Sequence, residues 1–491
     1  MTAPQRSRVF ATAAVADPNE YTPHYAYRLV GAAGKSRNSE RNSSGKAVRE
    51  QVLHCEGVAL DRIAGAVGTP AYVYSRASVE DAYRRLDRAF GALPHSICYA
   101  VKANSNLALL RVLARLGSSF DIVSGGELDR LRRVGVRGRR IVFSGVGKTR
   151  DEIREALRYP GRAGRRASGR TARCGILLFN IESEAELEVL LDESAEHVAE
   201  GGQPPAVAIR VNPDVLAGGH RHISTGHHQH KFGVDWEQAK RLYLAHKGSR
   251  WISWRGISAH IGSQILTVAP YRSALQRVAS YVRELAAQGI RLDYLDIGGG
   301  LGIRYTDEQP LDLKIYARTL AGIVKPLGCR LLIEPGRALV GPAGVLLTRV
   351  IYLKENALKE NGLKANGAKA NGGKTFVIVD AAMNDLIRPV LYEAVHPITK
   401  VVRSAGTTAK NRVDVVGPIC ESGDFLALDW PLEPVAPGDL LAVWAAGAYS
   451  FVESSNYNAR RRAPEVLVEG SRFRIARTRQ TYDDLVRGES L

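Results

Sequence analysis

Apolar positions along this chain carry two textures. From residue 97 to residue 336, short apolar runs of five to seven residues recur. They are "ICYAV" (97–101), "FDIVS" (120–124), "IVFSG" (141–145), "GILLFNI" (175–181), "AVAIRVN" (206–212), "GISAHIG" (256–262), "YLDIGGG" (294–300) and "LLIEPG" (331–336). Their length and alternation predict strands. The stretches between them, such as "LALLRVLARLG" and "YRSALQRVASYVRELAAQG", place apolar residues three and four apart and predict helices. Eight strands alternating with helices predict a (β/α)8 barrel. Further on come "TFVIVD", "NRVDVVG", "FLALDW", "LLAVWAAG" and "EVLVEG", strands without helices of comparable length. These predict a second, all-β domain, a sandwich or partly open barrel, so the expected class is α/β with an added β domain.

Three stretches break the pattern: residues 31–50, 158–174 and 352–374, rich in Gly, Ser, Asn or Ala and in Lys or Arg. They carry +3, +6 and +3, twelve of the net +18 of the 491 residues, and the third repeats a lysine every five residues from Lys354 to Lys374. Such composition cannot bury enough apolar surface to order itself, and the stretches read as solvated insertions. Two thirds of the net positive charge therefore lies outside the predicted elements, without aromatic residues interleaved for base stacking. Nucleic acid is not an expected partner. No run of eighteen apolar residues is present, so no membrane span is expected. The opening "MTAPQRSRVFATAAVADPNEY" lacks the apolar centre of a secretory signal. Five scattered cysteines without a CxxC pair suit a reducing compartment, and the expected location is cytoplasmic.

In a barrel of this kind the chemistry sits at the carboxyl ends of the strands. Here those ends carry Lys102, Asp121, Arg210, His260, Gly298 to Gly300 and Glu334. A bare ammonium at the mouth of a buried strand is costly, because desolvation disfavours the charged form. The turn "DIGGGLG" offers backbone N–H groups where barrels often hold phosphate. It is not a dinucleotide fingerprint, because the sixth position counted from Gly298 is Ile303. A lysine on the first strand, a phosphate turn after the seventh and a carboxyl on the eighth together point to pyridoxal 5'-phosphate. Lys102 bonded to its aldehyde is no longer a bare ammonium. The histidines of "GGHRHISTGHHQHKFG" (218–233) predict no metal site, since imidazoles close along one loop need not converge. The segment reads as a substrate-access loop.

The motifs "YAVKAN", "HIGSQI", "DIGGGLG", "EPGRALVGPAG", "LIRPVLYEAVHPI", "GPICESGDFLA" and "GAYSFVESSNYNARRRAPEVLV" follow one another in this order. They resemble those of the barrel-type, alanine racemase-like pyridoxal-phosphate decarboxylases, in particular the branch acting on diaminopimelate. The resemblance runs from about residue 69 to residue 486. "YAYR" (26–29) and "LHCEGVAL" (53–60) resemble the family's amino-terminal segment, split here by an insertion. It implies a disordered terminus over 1–20 and a β-domain segment over 21–75 interrupted by 31–50. The cofactor-binding barrel follows over 76–338, then a β domain over 339–491 interrupted by 354–374.

The resemblance also implies roles. Lys102 and Asp121 bind the cofactor, Lys102 covalently, with His260 stacked on the ring face. Ser263, Gly298, Gly299, Gly300, Gly336 and Arg337 hold its phosphate, Glu334 faces the pyridine nitrogen, and Tyr449 reaches in from the β domain. Arg337, Arg388, Tyr392 and Tyr449 take the substrate, with Glu421 countering its distal ammonium and Cys420 donating a proton. The implied reaction is decarboxylation of meso-2,6-diaminopimelate to L-lysine and CO2. It takes place in a homodimer whose sites receive Cys420 and Glu421 from the second subunit. Two guanidinium forks suit a substrate with a distal carboxylate. An enzyme of the same scaffold acting on ornithine, arginine or carboxynorspermidine is the alternative, and Arg388 and "CES" (420–422) speak against it. A racemase calls for a tyrosine-type base where "CES" stands, and a non-catalytic cofactor carrier has no β domain.

Overall fold

The structure, a computed structural model, describes residues 17–30, 50–159, 175–215, 231–356, 374–404 and 410–491. Most of the terminus expected to be disordered, most of each insertion and most of the histidine-rich loop lie outside the described residues. The chain divides into two compact units: residues 79–304 with 308–341, and residues 1–78 with 305–307 and 342–491.

The first unit is a closed barrel of eight parallel strands in sequence order. They are β1 (His95–Ala100), β2 (Ser119–Ile122), β3 (Ile141–Phe143), β4 (Leu178–Ile181), β5 (Ala206–Arg210), β6 (Ser253–Ser258), β7 (Tyr294–Asp296) and β8 (Arg330–Ile333). Closure comes from β8 pairing with β1, Ile333 opposite Ile97. Cys98, Val142, Leu178, Ala208 and Leu332 fill the interior as a packed layer. All the strands but β4 stop one to four residues short of the apolar runs that predict them. Lys102 consequently sits in a 3-10 turn, Val101–Ala103, and His260 lies two residues beyond β6. At the rim the ladder ends and the backbone is free to turn side chains toward the barrel mouth.

Five of the rim loops are closed by a polar cap on the helix that follows. Ser124, Thr149, Ser183 and Asp235 accept from the N–H three residues on, and Asn106 from the N–H of Ala108. A cap of this type is worth about 1 kcal/mol, and here it also fixes where the loop ends.

The second unit is all β apart from short helical pieces and the helix Leu60–Val67. Its spine is the strand Gly344–Asn356, which pairs with Ala71–Ser75, with Leu440–Val443 and with Lys374–Val379. Lys354, Glu355 and Asn356 pair with Phe376, Thr375 and Lys374, so the polar stretch beginning at residue 352 starts inside the ladder, and only 357–373 lies outside the described residues. A smaller sheet of Tyr25–Leu29, Glu50–Cys55, Val58–Ala59 and Val402–Ser404 completes the unit. Tyr25, Leu53, Val345, Leu347, Trp444 and Val466 are among its buried core.

Candidate active site

The barrel mouth holds a cavity of about 410 Å³ lined by Lys102, Ser144, Arg210, Phe232, His260 and Glu334, among others. That volume suits a small organic molecule. The Lys102 ammonium lies 2.7 Å from Asp121 Oδ2. Asp121 is wholly buried, so the charge that looked costly in the sequence has its partner on the neighbouring strand. The other carboxylate oxygen, Oδ1, is buried with no hydrogen-bond partner among the described residues.

On the other side of Lys102's strand, Glu334 follows β8 and is held by its neighbours. Ser144 Oγ donates to Glu334 Oε1 at 3.4 Å, and Asn180 Nδ2 donates to Ser144 Oγ at 3.1 Å and to Asp296 Oδ2 at 2.9 Å. Burial pushes the Glu334 carboxyl far above its usual range, reinforced by Asp121 and Asp296 and opposed by Lys102. Burial raises Asp296 too, but the Glu334 side chain and the Gly298 N–H bond to it and hold it down. Glu334 is therefore the member of the pair that keeps a proton and donates it to Asp296.

The glycine turn after β7 packs against both groups. Gly298 and Gly300 have φ of +68° and +94°, and a Cβ on Gly299 would stand 2.2 Å from the Glu334 carbonyl oxygen. A residue with a side chain has no place there. The Gly298 N–H donates to Asp296 Oδ1 and the Gly299 N–H to His260 Nδ1, at 2.9 and 3.1 Å. An Nδ1 that accepts carries no proton, so His260 is a neutral imidazole with its proton on Nε2. Burial lowers its pKa, and Arg210 and Lys102 lower it further, which agrees. Arg337 donates to Ser263 Oγ at 3.1 Å, and Gly336 precedes the short helix Arg337–Val340.

Four residues of this mouth were not singled out from the sequence: Ser144, Asn180, Glu182 and Asp296. Glu182 accepts from Arg210 at 2.9 and 3.1 Å and from the N–H groups of Gly145 and Gly233. A single polar residue ending an apolar run, as in "VFS", "LFN" and "YLD", is the signal that could have found three of them.

The β unit places its share in separate clusters. Arg388 is buried in the short helix Arg388–Tyr392, its guanidinium 5.5 Å from the Tyr392 ring. Cys420 and Glu421 are exposed. Asn458 Oδ1 accepts from the Cys420 N–H at 3.1 Å, and Glu421 accepts from the Tyr457 hydroxyl. Tyr449 has φ of +54°, a conformation uncommon for a tyrosine.

An amine paired with a buried carboxylate, sharing one cavity at the barrel mouth with a second buried carboxyl beside a glycine turn, defines a site of the pyridoxal-dependent class. The small-molecule cavity and the unpartnered Asp121 Oδ1 fit such a cofactor. Residues 76–341 match the family model of the pyridoxal-binding domain of pyridoxal-dependent decarboxylases. The chain is 47% identical over 443 residues to the diaminopimelate decarboxylase of Pseudomonas aeruginosa, covering 90% of this chain and 98% of that one. Among solved structures it resembles the Helicobacter pylori diaminopimelate decarboxylase complexed with L-lysine, at 36% identity and a TM-score of 0.76, over 87% of this chain and 98% of that one. It also resembles the M. jannaschii diaminopimelate decarboxylase in co-complex with L-lysine, at 32% identity and a TM-score of 0.77, over 90% and 96%. This chain belongs to the diaminopimelate decarboxylase family.

Proposed function

We propose that this protein converts meso-2,6-diaminopimelate to L-lysine and CO2 with bound pyridoxal 5'-phosphate. The observation that carries the reading is the cavity shared by Lys102 and Glu334. When bound, pyridoxal phosphate supplies an aldehyde that condenses with amines and a ring that accepts the electron pair left as CO2 departs.

The protein's residues then have defined tasks. Lys102 Nζ holds the cofactor, and Asp121 receives the amine whenever it is released. Glu334 is the group that faces the ring nitrogen, and Asp296, fixed by Asn180 and the Gly298 N–H, orients that carboxyl by accepting its proton's hydrogen bond. His260, neutral and buried, presents its ring to the cofactor face. Ser263, Gly298, Gly299, Gly300, Gly336 and Arg337 form the phosphate cradle. Because the product is L-lysine, the carboxyl lost belongs to the D centre, and the L end is what the enzyme must grip. Arg337, Arg388, Tyr392 and Tyr449 take that end's carboxylate and Glu421 its ammonium, while the Cys420 thiol supplies a proton to the carbon that CO2 leaves. Arg388 supports this reading directly: it is 6% exposed, and no carboxylate pairs with it among the described residues. The exposure of Cys420 and Glu421 supports a homodimer in which they complete the partner's site. The same reading places the enzyme in the cytoplasm.

Purified protein supplied with pyridoxal phosphate should release CO2 and L-lysine in equal amounts from meso-diaminopimelate. Release from ornithine or arginine and none from diaminopimelate would overturn the substrate.

A further inference from the structure

We infer that His396 is a positioning residue for substrate recognition: it engages Arg388 Nε and so leaves the two terminal guanidinium nitrogens to face the substrate's distal carboxylate. The inference rests on the reading of Arg388 given above and adds what aims it.

The hydrogen-bond partners assign the histidine's tautomer. Arg388 Nε lies 3.4 Å from His396 Nε2, and an arginine nitrogen can only donate, so His396 Nε2 accepts. His396 Nδ1 lies 2.9 Å from the Trp444 carbonyl oxygen, which can only accept, so Nδ1 carries the proton. The chain of donors runs Arg388 Nε–H to His396 Nε2, then His396 Nδ1–H to Trp444, and both ends demand the same neutral imidazole. His396 is wholly buried, so water does not compete for either nitrogen. The Tyr305 ring meets the imidazole edge-on at 5.2 Å and 77°, and the guanidinium lies 6.0 Å from Tyr305 and 5.5 Å from Tyr392.

A neutral acceptor is the significant choice. A buried guanidinium is usually paired with a carboxylate, since an uncompensated buried charge is expensive. A carboxylate at position 396 would satisfy Arg388 and also neutralise it, so the substrate's carboxylate would compete with an internal one. Imidazole satisfies Nε, fixes the guanidinium plane and leaves the full positive charge for the incoming group. Two terminal N–H groups held in one plane match the two oxygens of a carboxylate.

The test separates ligands that keep the distal carboxylate from those that lack it. L-lysine retains the L amino-acid end; pentane-1,5-diamine does not. With the holoenzyme, inhibition constants for both are measured alongside KM and kcat for diaminopimelate, and cofactor absorbance reports an intact cofactor site. His396→Leu should weaken L-lysine and raise KM roughly tenfold, the effect of one hydrogen bond to a charged group. It should leave kcat, the diamine and the absorbance near wild type. His396→Gln, whose amide carries an acceptor and a donor, should restore most of the loss. If the leucine variant does not fold, His396→Asn makes the same prediction, because it keeps a donor for Trp444 and is too short to reach Arg388. In an Arg388→Ala background His396→Leu should add nothing. If Arg388→Ala leaves L-lysine binding intact, the reading of Arg388 fails. If Arg388→Ala weakens L-lysine but the His396 variants do not, or weaken the diamine equally, the inference fails and the reading stands.

Discussion

Two regions treat charge in opposite ways, the barrel mouth and the surroundings of Arg388. In the barrel the charged groups near the mouth are paired internally: Lys102 with Asp121, Arg210 with Glu182, and Lys148 with Glu186. Lys148 is the most enclosed of these, donating at 2.6–2.7 Å to Glu186 and to the carbonyls of Gly145 and Asn180. In the β unit, Arg388 is buried without a carboxylate among the described residues, and Cys420 and Glu421 are exposed. On the proposed reading, the barrel mouth keeps a resident group, whereas Arg388 is charge held in reserve for something that arrives and leaves.

That contrast can be broken by substitution, and the largest effect belongs to Lys102. Lys102→Ala should eliminate turnover and the visible absorbance of the reconstituted enzyme; colour retained at wild-type intensity would remove Lys102 from its role. Next is Lys148→Met, which strands Glu186 and should cost about 3–5 kcal/mol of stability in denaturant unfolding. Arg388→Ala should cost less stability than Lys148→Met, since it strands only the neutral His396 Nε2 and no buried charge, while weakening diaminopimelate by about 2–5 kcal/mol, read as KM. If Arg388→Ala destabilised the fold as much as Lys148→Met, the distinction between internal and reserved charge would be lost.

The smallest effect is a pH dependence in the barrel. Burial raises the Glu127 carboxyl to about 7, with the Val123 N–H and Lys102 opposing. The folded chain therefore keeps this proton between the ordinary glutamate value and about 7, where the unfolded chain has lost it. The stability it supports is full at low pH and declines as pH rises through that window. Glu127→Gln should flatten the decline, measured as midpoint denaturant concentration against pH, and an unchanged slope would assign it to other groups.

The barrel was legible because its strands are short, apolar and regularly spaced, and because a charged residue ending such a run, as Lys102 and Glu334 do, stands out. Ser144, Asn180 and Asp296 end similar runs, but a small polar residue is ordinary at a strand end, and their meaning appears only when the barrel brings them to one mouth. The spine of the β unit was obscured for a different reason. From Tyr352 onward Gly344–Asn356 is exposed and polar, so its composition suggests an insertion although its backbone is paired to the last residue. His396 stood inside a motif quoted for Arg388, yet a separation of eight residues says nothing of contact; the turn between them makes it.

The most direct test of the central claim is chemical trapping. Borohydride reduction of the reconstituted enzyme, followed by peptide mass spectrometry, should place the pyridoxyl group on Lys102. A pyridoxyl group on another lysine, with Lys102 unmodified, would contradict the account.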